Sequence, residues 1–483
     1  MFRLWLIFHT RQTALTFGIV IILHILVASA VTSHVLLKKS NVRAAIGWIG
    51  LVWFSPYFGA IIYAVFGINR IARRASRIRR NPEPNPDVVK IFRLEATELD
   101  EDVRTLAGVG TKTTGLPLTH GNSLSMLRGG DQAYPEMLTA IANASTSIAL
   151  ATYIFRRDSV GRAFVDALIA AKARGVEVRV LVDGIGSGYF SSPVVRQLRG
   201  AGVPVIKFMH DWRPWRMSFI NLRNHKKLLV VDGVTGFAGG LNFGIENTRI
   251  WSRKRAVMDA HFRLAGPVVS QLMISFAEDW HFATGEALEG SVWWPEIKPA
   301  GTVVARGVSS GPDEDAGSIE TILAAALSQA KHQIRIVTPY FLPDEQLQFA
   351  IVQAGLRGVQ IDLVIPQRSD HVLLDWAMGA HLAFFPMDHM SCYKTPKPFD
   401  HSKLVTVDEK WCAVGSPNWD VRSLRLNFEF LVECYDEATV KTINALIQEK
   451  IERGHSLKID DLAIRPLAVR LRDACARLLL PYL

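Results

Sequence analysis

The hydrophobic residues of this chain are most concentrated in two long stretches near its N-terminus. No formally charged residue occurs between Arg11 and Lys38 or between Arg43 and Arg70, and each interval has 26 residues. A helix rises about 1.5 Å per residue, so roughly 20 residues cross a hydrocarbon core of about 30 Å. Each stretch is therefore long enough to form a transmembrane helix. The predicted helices cover residues 13–37 and 44–67, joined by a tight turn.

A cleaved signal peptide is an alternative interpretation of the first stretch. Ala28-Ser29-Ala30 has the small residues that are typical of a cleavage site. The apolar run nevertheless continues through Val35, Leu36 and Leu37 before it meets Lys38, which favours a retained helix. Under either interpretation the second stretch still anchors the protein in a membrane.

Basic residues are distributed unequally around the two predicted helices. Eight arginines precede the first helix or follow the second, whereas the turn carries three basic residues. Because cytoplasmic segments carry the excess of lysine and arginine, both termini are predicted to lie in the cytoplasm. The chain is thus predicted to be a multi-pass membrane protein whose larger part is cytoplasmic. The outer arginines are Arg3, Arg11, Arg70, Arg73, Arg74, Arg77, Arg79 and Arg80, and the turn has Lys38, Lys39 and Arg43.

Further along the chain, strand-like apolar runs alternate with amphipathic helical runs, and this arrangement occurs twice. In residues 147–155 and 333–341 an apolar run ends in a tyrosine and a phenylalanine. A helical stretch then leads to Arg-Gly-Val and a second apolar strand, at 174–183 and 357–366. This is the pattern of a βαβ unit, written twice. The sequence therefore predicts an α/β fold with two pseudo-symmetric halves.

The repeat and the changes in composition divide the chain into six predicted segments. A Pro-rich, largely polar stretch separates the membrane anchor from the repeat, and a stretch rich in Gly, Pro and Trp separates the two halves. The segments are an anchor at 1–80, a linker at 81–120, a first half at 121–285, a connector at 286–305, a second half at 306–455 and an amphipathic helix at 456–483.

The repeat contains the motif H-x-K-x4-D twice. The copies occupy residues 225–232 and 401–408, and seven residues after each aspartate comes the first glycine of a G-x-x-N sequence. These sequences end at Asn242 and Asn418. Two copies inside a longer repeat indicate one site assembled from both halves rather than a chance match.

The histidine and lysine of each motif point to the same side of a strand, because side chains alternate between faces. A lysine beside a histidine disfavours a metal ion, since its ammonium group repels cations and has no lone pair. The same combination suits an anion, so Lys227 and Lys403 are predicted to bind phosphate oxygens, with no metal or other cofactor. Further predicted phosphate donors are Asn242, Asn418 and Ser416.

The aspartates that close the two motifs have the opposite parity to the histidines. Asp232 and Asp408 count among the catalytic candidates as motif residues. Each opens a turn, however, so they are better placed to hold the following loop than to contact a substrate.

Two histidines from two pseudo-symmetric halves suit a two-step transfer. One of His225 and His401 attacks phosphorus and forms a phosphohistidine, while the other protonates the departing alkoxide and later acts as a base. The remote ring nitrogen of each histidine needs an acceptor that fixes its orientation. The candidates are Glu429, which lies 28 residues after His401, and Asp259, which lies 34 residues after His225. Each candidate thus follows the histidine of its own half.

Three longer segments around these residues carry a family resemblance. They read Asn-Leu-Arg-Asn-His-Lys-Lys at 221–227, Thr-Pro-Tyr-Phe-Leu-Pro-Asp-Glu at 338–345 and Arg-Ser-Leu-Arg-Leu-Asn-Phe-Glu at 422–429. With the duplicated motif they resemble the phospholipase D superfamily, and within it the bacterial cardiolipin synthases. The likeness covers nearly the whole chain. One departure is Gly240, at the position where the second half has Ser416.

The resemblance implies an α/β/α sandwich in each half, with mixed sheets and an active site between the halves. It also implies a metal-independent exchange at the bacterial inner membrane, in which two phosphatidylglycerol molecules give cardiolipin and glycerol. By the usual pattern of the superfamily, His225 is the nucleophile and His401 the acid/base. Expected partners are phosphatidylglycerol, other anionic phospholipids and the membrane.

Three other functions remain as alternatives. A phospholipase D-type hydrolase uses the same site and admits water, and a nuclease uses it on a nucleic-acid phosphodiester. The net charge of +10 superficially suits a nuclease, but the densest charge lies beside the membrane helices, so no nucleic-acid partner is predicted. A non-catalytic lipid-binding or scaffold protein is disfavoured because both motifs retain their His, Lys and Asp.

The C-terminal segment has the pattern of an amphipathic helix. Leu467, Leu471, Ala474 and Leu478 follow helical spacing, with charged residues on another face. Such a helix either lies on a membrane surface or packs on the core of the protein, and the pattern does not choose between the two.

The four cysteines show neither C-x2-C pairing nor the density of a secreted disulfide scaffold. They are predicted to be free thiols in a reducing compartment. These residues are Cys392, Cys412, Cys434 and Cys475.

Overall fold

The computed structural model of the chain contains two compact units, Met1–Arg74 and Ala75–Leu483. The described residues are 2–39, 42–55, 57–67, 93–94, 99–210, 222–249, 256–312, 317–383, 385, 390–458, 462 and 464–478. The predicted arginine cluster after the second apolar stretch and the Pro-rich segment 81–86 lie outside these residues.

The N-terminal unit is a helical hairpin. Helix α1 is Phe2–Lys38, α2 is Val42–Phe54 and α3 is Phe58–Ile62, followed by a π-helical turn at Tyr63–Gly67. In the part of the chain that the structure describes, only Thr16–Lys38 of α1 is both long and apolar enough to cross a membrane. The prediction of two N-terminal helices is thus confirmed, but the second is shorter than predicted.

The second apolar stretch differs from the prediction because it is not one continuous helix. Helix α2 ends at Phe54, and Tyr57 has a positive φ of 61° before α3 begins. The sequence explains the break, since Pro56 has no backbone N–H to donate and disfavours the helical conformation of the residue before it. Ala28 and Val35 of α1 are buried in the contact with α2.

The second unit begins with strand β1, Arg93–Leu94, and helix α4, Glu101–Thr114, and then contains the two halves. The strands of the first half are β2 Leu118–Arg128, β3 Ser147–Thr152, β4 Glu177–Asp183, β5 Val205–Phe208, β6 Leu228–Val231, β7 Thr235–Gly239, β8 Val257–Met258 and β9 Ala260–Ala265. Its helices are α5 Gly130–Asn143, α6 Ser159–Ala173, α7 Pro193–Gly200 and α8 Val268–Thr284.

The second half repeats this order of elements. Its strands are β10 Val303–Ser310, β11 Gln333–Val337, β12 Phe341–Leu342, β13 Gln360–Pro366, β14 Met390–Thr395, β15 Phe399–Asp400, β16 Leu404–Val407, β17 Trp411–Gly415, β18 Trp419–Asp420, β19 Glu429–Tyr435 and β20 His455–Ser456. Its helices are α9 Ser318–Gln329, α10 Glu345–Leu356, α11 Val372–Leu382, α12 Val421–Arg425, α13 Glu437–Arg453 and the C-terminal α14 Leu467–Leu478.

The strands of both halves form one continuous mixed sheet. Its order is β20-β14-β13-β11-β16-β17-β19-β10-β2-β9-β7-β6-β3-β4-β5, with β1 beside β2. The β10–β2 pair joins the halves, and the order of strands is mirrored on its two sides. The predicted βαβ units are β3–α6–β4 and β11–α10–β13, and both strand pairs are parallel as expected.

Each half is an α/β/α sandwich, as the family resemblance implies. Helices α5, α6 and α7 cover one face of the first half, and α8 covers the other. Helices α4, α9, α10 and α11 cover one face of the second half, and α13 covers the other. The apolar faces of these helices bury the sheet on both sides, which is the usual solution for parallel strands.

Helix α4 corrects the prediction of a linker at 81–120. Leu106 and Ala107 of this helix are buried in the core of the second half. The Arg306 guanidinium donates to the Thr111 hydroxyl at 2.6 Å and pairs with Glu433 in a fully buried contact. Gly110 makes this possible, because a Cβ there would lie 1.7 Å from a guanidinium nitrogen. The sequence of this segment is mainly polar, so its pattern of residues did not predict a helix with a short buried face.

The C-terminal helix α14 packs on α11 through its polar and small residues. Asp473 and Ala476 are buried, and Asp473 accepts from Arg465 at 2.7 Å. Leu467 and Leu478 are exposed. The helix therefore contacts the protein with one face and leaves its leucines uncovered within the described residues.

All four cysteines carry free thiols, as predicted, and Cys412 lies opposite Cys434 in the β17–β19 pair.

Candidate active site

Strands β6 and β16 carry the two H-x-K-x4-D motifs at equivalent positions in the sheet. Each strand pairs with the first strand of its βαβ unit on one side and with a hairpin strand on the other. His225 and His401 come just before these strands, and their lysines lie two residues further on. The side chains of both histidines and both lysines are about nine-tenths buried or more.

The short segment that precedes each histidine pairs with the backbone of the other half. Asn224 forms a parallel bridge with Phe428, and the His225 N–H donates to the Phe428 carbonyl at 2.9 Å. In the same way β15 pairs in parallel with β8, and the His401 N–H donates to the Met258 carbonyl at 2.7 Å. Each histidine is thus fixed by backbone that belongs to the other half.

This exchange pairs each histidine with a carboxylate of the other half. His225 Nδ1 lies 2.9 and 3.0 Å from the two Glu429 oxygens. His401 Nδ1 lies 2.8 Å from an Asp259 oxygen. Spacing along the chain groups Glu429 with His401 and Asp259 with His225. The structure pairs them crosswise, because Glu429 follows Phe428 and Asp259 follows Met258.

The two lysines of the motifs lie beside the histidines. Lys227 Nζ donates to the His225 carbonyl at 2.7 Å. Lys403 Nζ donates to the His401 carbonyl, and it lies 2.7 Å from His401 Nδ1 and 3.9 Å from an Asp259 oxygen. Burial lowers the pKa of Lys227 to about 7 and that of Lys403 to about 8. The nearby carboxylates Glu429 and Asp259 do not offset this effect of burial, so a bound anion would favour the charged form of both lysines.

Burial also governs the charge of the histidines. It lowers the pKa of His225 to about 4, although Glu429 acts in the opposite direction. Burial lowers the pKa of His401 as well, and the charge of Lys403 adds to this effect. Both imidazoles are consequently neutral at pH 7, with one ring nitrogen free to act as a nucleophile or base.

The carboxylates remain ionised despite their burial. Burial alone would raise the pKa of Glu429, but His225 and Lys227 outweigh it and hold that pKa below its usual value. The pKa of Asp259 is likewise lowered, because Lys403 and His401 outweigh the effect of burial. Each neutral histidine therefore has an anion as the acceptor for its Nδ1–H.

Ser416 and Gly240 occupy equivalent positions with different consequences. The Ser416 hydroxyl donates to Glu429 and accepts from the Phe430 N–H at 3.0 Å. It therefore supports Glu429, and its predicted role as a phosphate donor is not what its contacts show. A Cβ on Gly240 would lie 2.3 Å from both Asp259 oxygens. The missing side chain makes room for the Asp259 carboxylate.

The two predicted asparagines lie at the ends of their G-x-x-N turns. Asn242 Oδ1 accepts from the Ile154 N–H at 3.2 Å. Asn418 Nδ2 donates to the Ser423 hydroxyl at 3.2 Å, and its buried Oδ1 has no hydrogen-bond partner among the described residues. Binding of phosphate by these asparagines stays a prediction.

The motif aspartates lie at the opposite ends of their strands from the histidines. Asp232 accepts from the backbone N–H groups of residues 145–147, and Asp408 from those of residues 331–333. Asp232 and Asp408 both have a positive φ, of 52° and 50°. They hold the loops before β3 and β11, as their parity predicts, and a catalytic role for them stays a prediction.

Sequence reasoning missed several residues around the histidines. The Tyr153 ring lies edge-to-face with His225, with 5.0 Å between ring centroids, and Lys227 Nζ lies 5.6 Å from the Tyr153 centroid. Asp183 accepts from the Asn224 N–H at 2.9 Å, and Asp279 binds Lys226. The signal was the location of Tyr153 and Asp183 at the C-terminal ends of adjacent parallel strands, where α/β sites form.

Comparison with known proteins agrees with this geometry. Residues 137–280 and 323–451 match the family described as "Cardiolipin synthase, PLD-like domain". Cardiolipin synthase 1 of Bacillus cereus is 30% identical over 464 residues, covering 93% of this chain and 91% of the relative. The major cardiolipin synthase ClsA of Bacillus subtilis is 30% identical over 476 residues, covering 96% of this chain and 98% of the relative.

Among solved structures, the phosphatidylserine synthase of Haemophilus influenzae shares the fold. The TM-score is 0.58 at 14% identity, over 74% of this chain and 95% of that chain. The duplicated fold, the paired motifs and the two full-length relatives lead to one assignment. The chain belongs to the cardiolipin synthases of the phospholipase D superfamily and is a phosphatidyltransferase.

Proposed function

We propose that this enzyme transfers a phosphatidyl group from one phosphatidylglycerol to another and releases glycerol, through a phosphohistidine on His225. The observation that carries the proposal is the site between the halves, with two crosswise histidine–carboxylate pairs and two buried lysines. Such a site binds a tetrahedral anion and offers one nucleophile and one acid/base without a metal ion.

In the first step the His225 Nε2 lone pair attacks the phosphorus of the donor lipid, and the bond from phosphorus to the glycerol oxygen breaks. Glu429 holds Nδ1, so the tautomer presents an unprotonated Nε2. His401 gives a proton to the departing glycerol oxygen. His401 is neutral in the empty site, and the charge of the bound phosphate favours its protonated form.

In the second step His401 acts as a base. It takes the proton of a headgroup hydroxyl of the second phosphatidylglycerol, whose oxygen attacks the phosphohistidine. The bond from phosphorus to His225 breaks, and the imidazole returns to its starting state. One phosphodiester replaces another, so the exchange needs no nucleotide. Lys227 and Lys403, with Asn242 and Asn418, stabilise the charge that develops on the phosphoryl oxygens.

Location at the bacterial inner membrane is part of the proposal. The long apolar helix α1 and the apolar α2 support a multi-pass anchor with the catalytic unit in the cytoplasm. The exposed Leu467, Leu471 and Leu478 of α14 add an apolar face suited to a lipid surface. A phosphohistidine at such a surface meets headgroup hydroxyls at high local concentration.

The reaction is tested with the purified full-length enzyme and vesicles of phosphatidylglycerol alone. Cardiolipin and free glycerol should form in equal amounts, and excess glycerol should slow or reverse net synthesis. Phosphatidic acid as the main product would mean that water is the acceptor and that the enzyme is a hydrolase. A requirement for a cytidine-nucleotide lipid, or activity on DNA alone, would contradict the proposed substrate.

A further inference from the structure

The C-terminal helix α14 turns its polar side toward the protein. Asp473, the only acidic residue of this helix, is buried and accepts from Arg465 at 2.7 Å and from Arg472 at 2.7 and 2.9 Å. Ala476, almost one turn further on, is buried too. Arg465 also donates to the Gly379 carbonyl of α11 at 3.1 Å. Helix α14 is therefore held on α11 by a buried ion pair and a small residue rather than by its leucines.

The leucines of α14 lie on the side away from that contact. Successive residues of a helix are about 100° apart, which places residues 467, 471 and 478 opposite residues 473 and 476. Leu467, Leu471 and Leu478 are 68%, 57% and 74% exposed. A helix that packs on its own core normally buries its apolar side. The reversed arrangement indicates that this side has an apolar partner outside the catalytic unit.

Arginines border the exposed leucines on both sides. Arg470 is exposed on one border. On the other border the Arg472 guanidinium lies over the Trp376 ring of α11, 4.4 Å from its centroid, and the Arg472 side chain stays 43% exposed. The helix has no exposed carboxylate, because its one acidic residue is buried. An apolar stripe between arginines is the pattern of a helix that lies in the surface of an anionic bilayer.

A second copy of the chain is the other apolar partner to consider. A symmetric contact through the leucines would bring Arg470 and Arg472 of both copies together, and neither α14 helix offers an exposed carboxylate to pair with them. Anionic headgroups supply the opposite charge, and the proposed substrate carries it. The charges of this surface therefore favour a lipid bilayer over a dimer.

Helix α11 connects α14 with the catalytic edge of the sheet. Strand β13 runs parallel to β11 and ends at the edge where His401 precedes β16. Helix α11 follows β13 and exposes Val372 and Leu373 in its first turn. Just beyond the end of β11, the Tyr340 hydroxyl donates to Asp370, which precedes α11. The first turn of α11 therefore adds exposed apolar side chains at the edge that carries the site.

We infer that α11 and α14 form a docking surface for the anionic face of a lipid bilayer, and that this surface brings the edge with His401 to the phospholipid headgroups. The inference deepens the proposed function and rests on it. The leucines of α14 enter the apolar part of the bilayer, while Arg470 and Arg472 contact lipid phosphates. The N-terminal hairpin holds the chain in any membrane, whereas this surface engages only where anionic lipid is present.

Cys475 is a native probe of this surface, because it is exposed on α14 and the other three cysteines are buried. The full-length enzyme is labelled there with a fluorescent maleimide and placed in lipid nanodiscs that contain spin-labelled acyl chains. Quenching of the dye should be at least about fivefold stronger with phosphatidylglycerol in the discs than with phosphatidylcholine alone. L467Q/L471Q/L478Q should abolish the quenching, and C475S gives the background of the labelling.

Kinetics in mixed micelles test whether docking serves the reaction. The triple variant should need about a tenfold higher surface fraction of phosphatidylglycerol for its half-maximal rate, with kcat within about twofold of the wild type, because the site is unchanged. R470Q should shift the half-maximal fraction in the same direction by about three- to fivefold. The matched control L356Q changes an exposed leucine where α10 ends, at the opposite edge of the sheet, and should behave as the wild type.

The docking surface is overturned if the dye is quenched equally in both kinds of disc or in neither. An unchanged half-maximal fraction in the triple variant, or an equal shift in L356Q, would overturn it as well. Efficient disulfide cross-linking of Cys475 between two copies, lost in the triple variant, would assign the leucines to a dimer instead. A wild-type enzyme whose dye is quenched but which makes no cardiolipin at saturating phosphatidylglycerol would contradict the proposed reaction alone.

Discussion

The two halves of the catalytic unit place their histidines equivalently but support them with different residues. In one pair the longer Glu429 binds His225 and is itself held by Ser416 and by Asn427 Nδ2 at 3.3 Å. In the other the shorter Asp259 binds His401 and occupies space that Gly240 leaves open. A duplicated scaffold thus gives two histidines with unequal surroundings, which a reaction with one nucleophile and one acid/base needs.

The two halves also differ in the buried ion pairs that fix the motif segments. Lys226 follows His225 and binds Asp279 of helix α8, with 2.9 Å between Nζ and an oxygen. Asp400 precedes His401 and binds Lys450 of helix α13. In the first half the lysine lies next to the histidine and the aspartate lies on the helix. In the second half the aspartate lies next to the histidine and the lysine lies on the helix. What the fold preserves is a neutral buried pair at each segment, since one unpaired buried charge would be strongly destabilising.

The largest expected effect comes from removing either histidine. H225A and H401A should each lower cardiolipin formation at least about 10⁴-fold, because neither imidazole can take over the role of the other. Labelled phospholipid should leave acid-labile phosphate on the wild-type enzyme that H225A cannot form. Phosphate label that persists in H225A and disappears in H401A would reverse the assignment of nucleophile and acid.

Replacing the carboxylates tests the crosswise pairing. E429Q should lower activity about 10²- to 10³-fold, since an amide can donate to His225 Nδ1 and leave the proton on Nε2. It should also abolish formation of the phosphohistidine. D259N should retain more phosphohistidine, because the nucleophile keeps its own acceptor. The measurement is the amount of labelled enzyme in a single turnover.

The matched control for these variants is E289Q, which changes an exposed glutamate of the connector. If the carboxylates acted within their own halves, D259N rather than E429Q would lose the label. That pattern would contradict the pairing seen here.

The two lysines should make kcat/KM depend on pH, and this effect should be smaller than those of the histidine and carboxylate substitutions. Burial lowers the pKa of Lys227 to about 7 and of Lys403 to about 8, so both lose their charge as the pH rises through these values. Phosphate binding needs both charged forms, so kcat/KM should fall about tenfold per pH unit above a pH of about 7, and about 100-fold per pH unit once the pH also exceeds about 8. The kcat profile should turn down at higher pH, because bound phosphate raises both pKa values. A flat kcat/KM profile up to pH of about 9.5 would contradict this role of the lysines.

Local patterns predicted much of this molecule, and contacts between distant segments account for what they missed. The βαβ units and the shared face of His225 and Lys227 follow from strand periodicity, which acts over a few residues. The partner of His225 lies 204 residues away, and that of His401 lies 142 residues away. Both pairs depend on short segments of one half that pair with the backbone of the other half. The spacing of residues along the chain does not predict such pairing. Helix α4 escaped prediction for a related reason, because its buried face is completed by Arg306 and Glu433.

The smallest expected effect comes from removing the hydroxyl that distinguishes the two halves. S416A deletes one donor to Glu429 while leaving its contacts with His225 and Asn427, so kcat should fall about three- to tenfold. A hydrogen bond to the charged carboxylate lowers its pKa, so its loss raises the pKa of Glu429. The reaction needs this carboxylate ionised, and the fall in kcat/KM at acid pH should therefore begin at a higher pH in S416A. The control S328A removes an exposed hydroxyl that donates only within helix α9. An S416A enzyme with unchanged kcat and an unchanged acid limb would show that Gly240 and Ser416 differ without consequence for the chemistry.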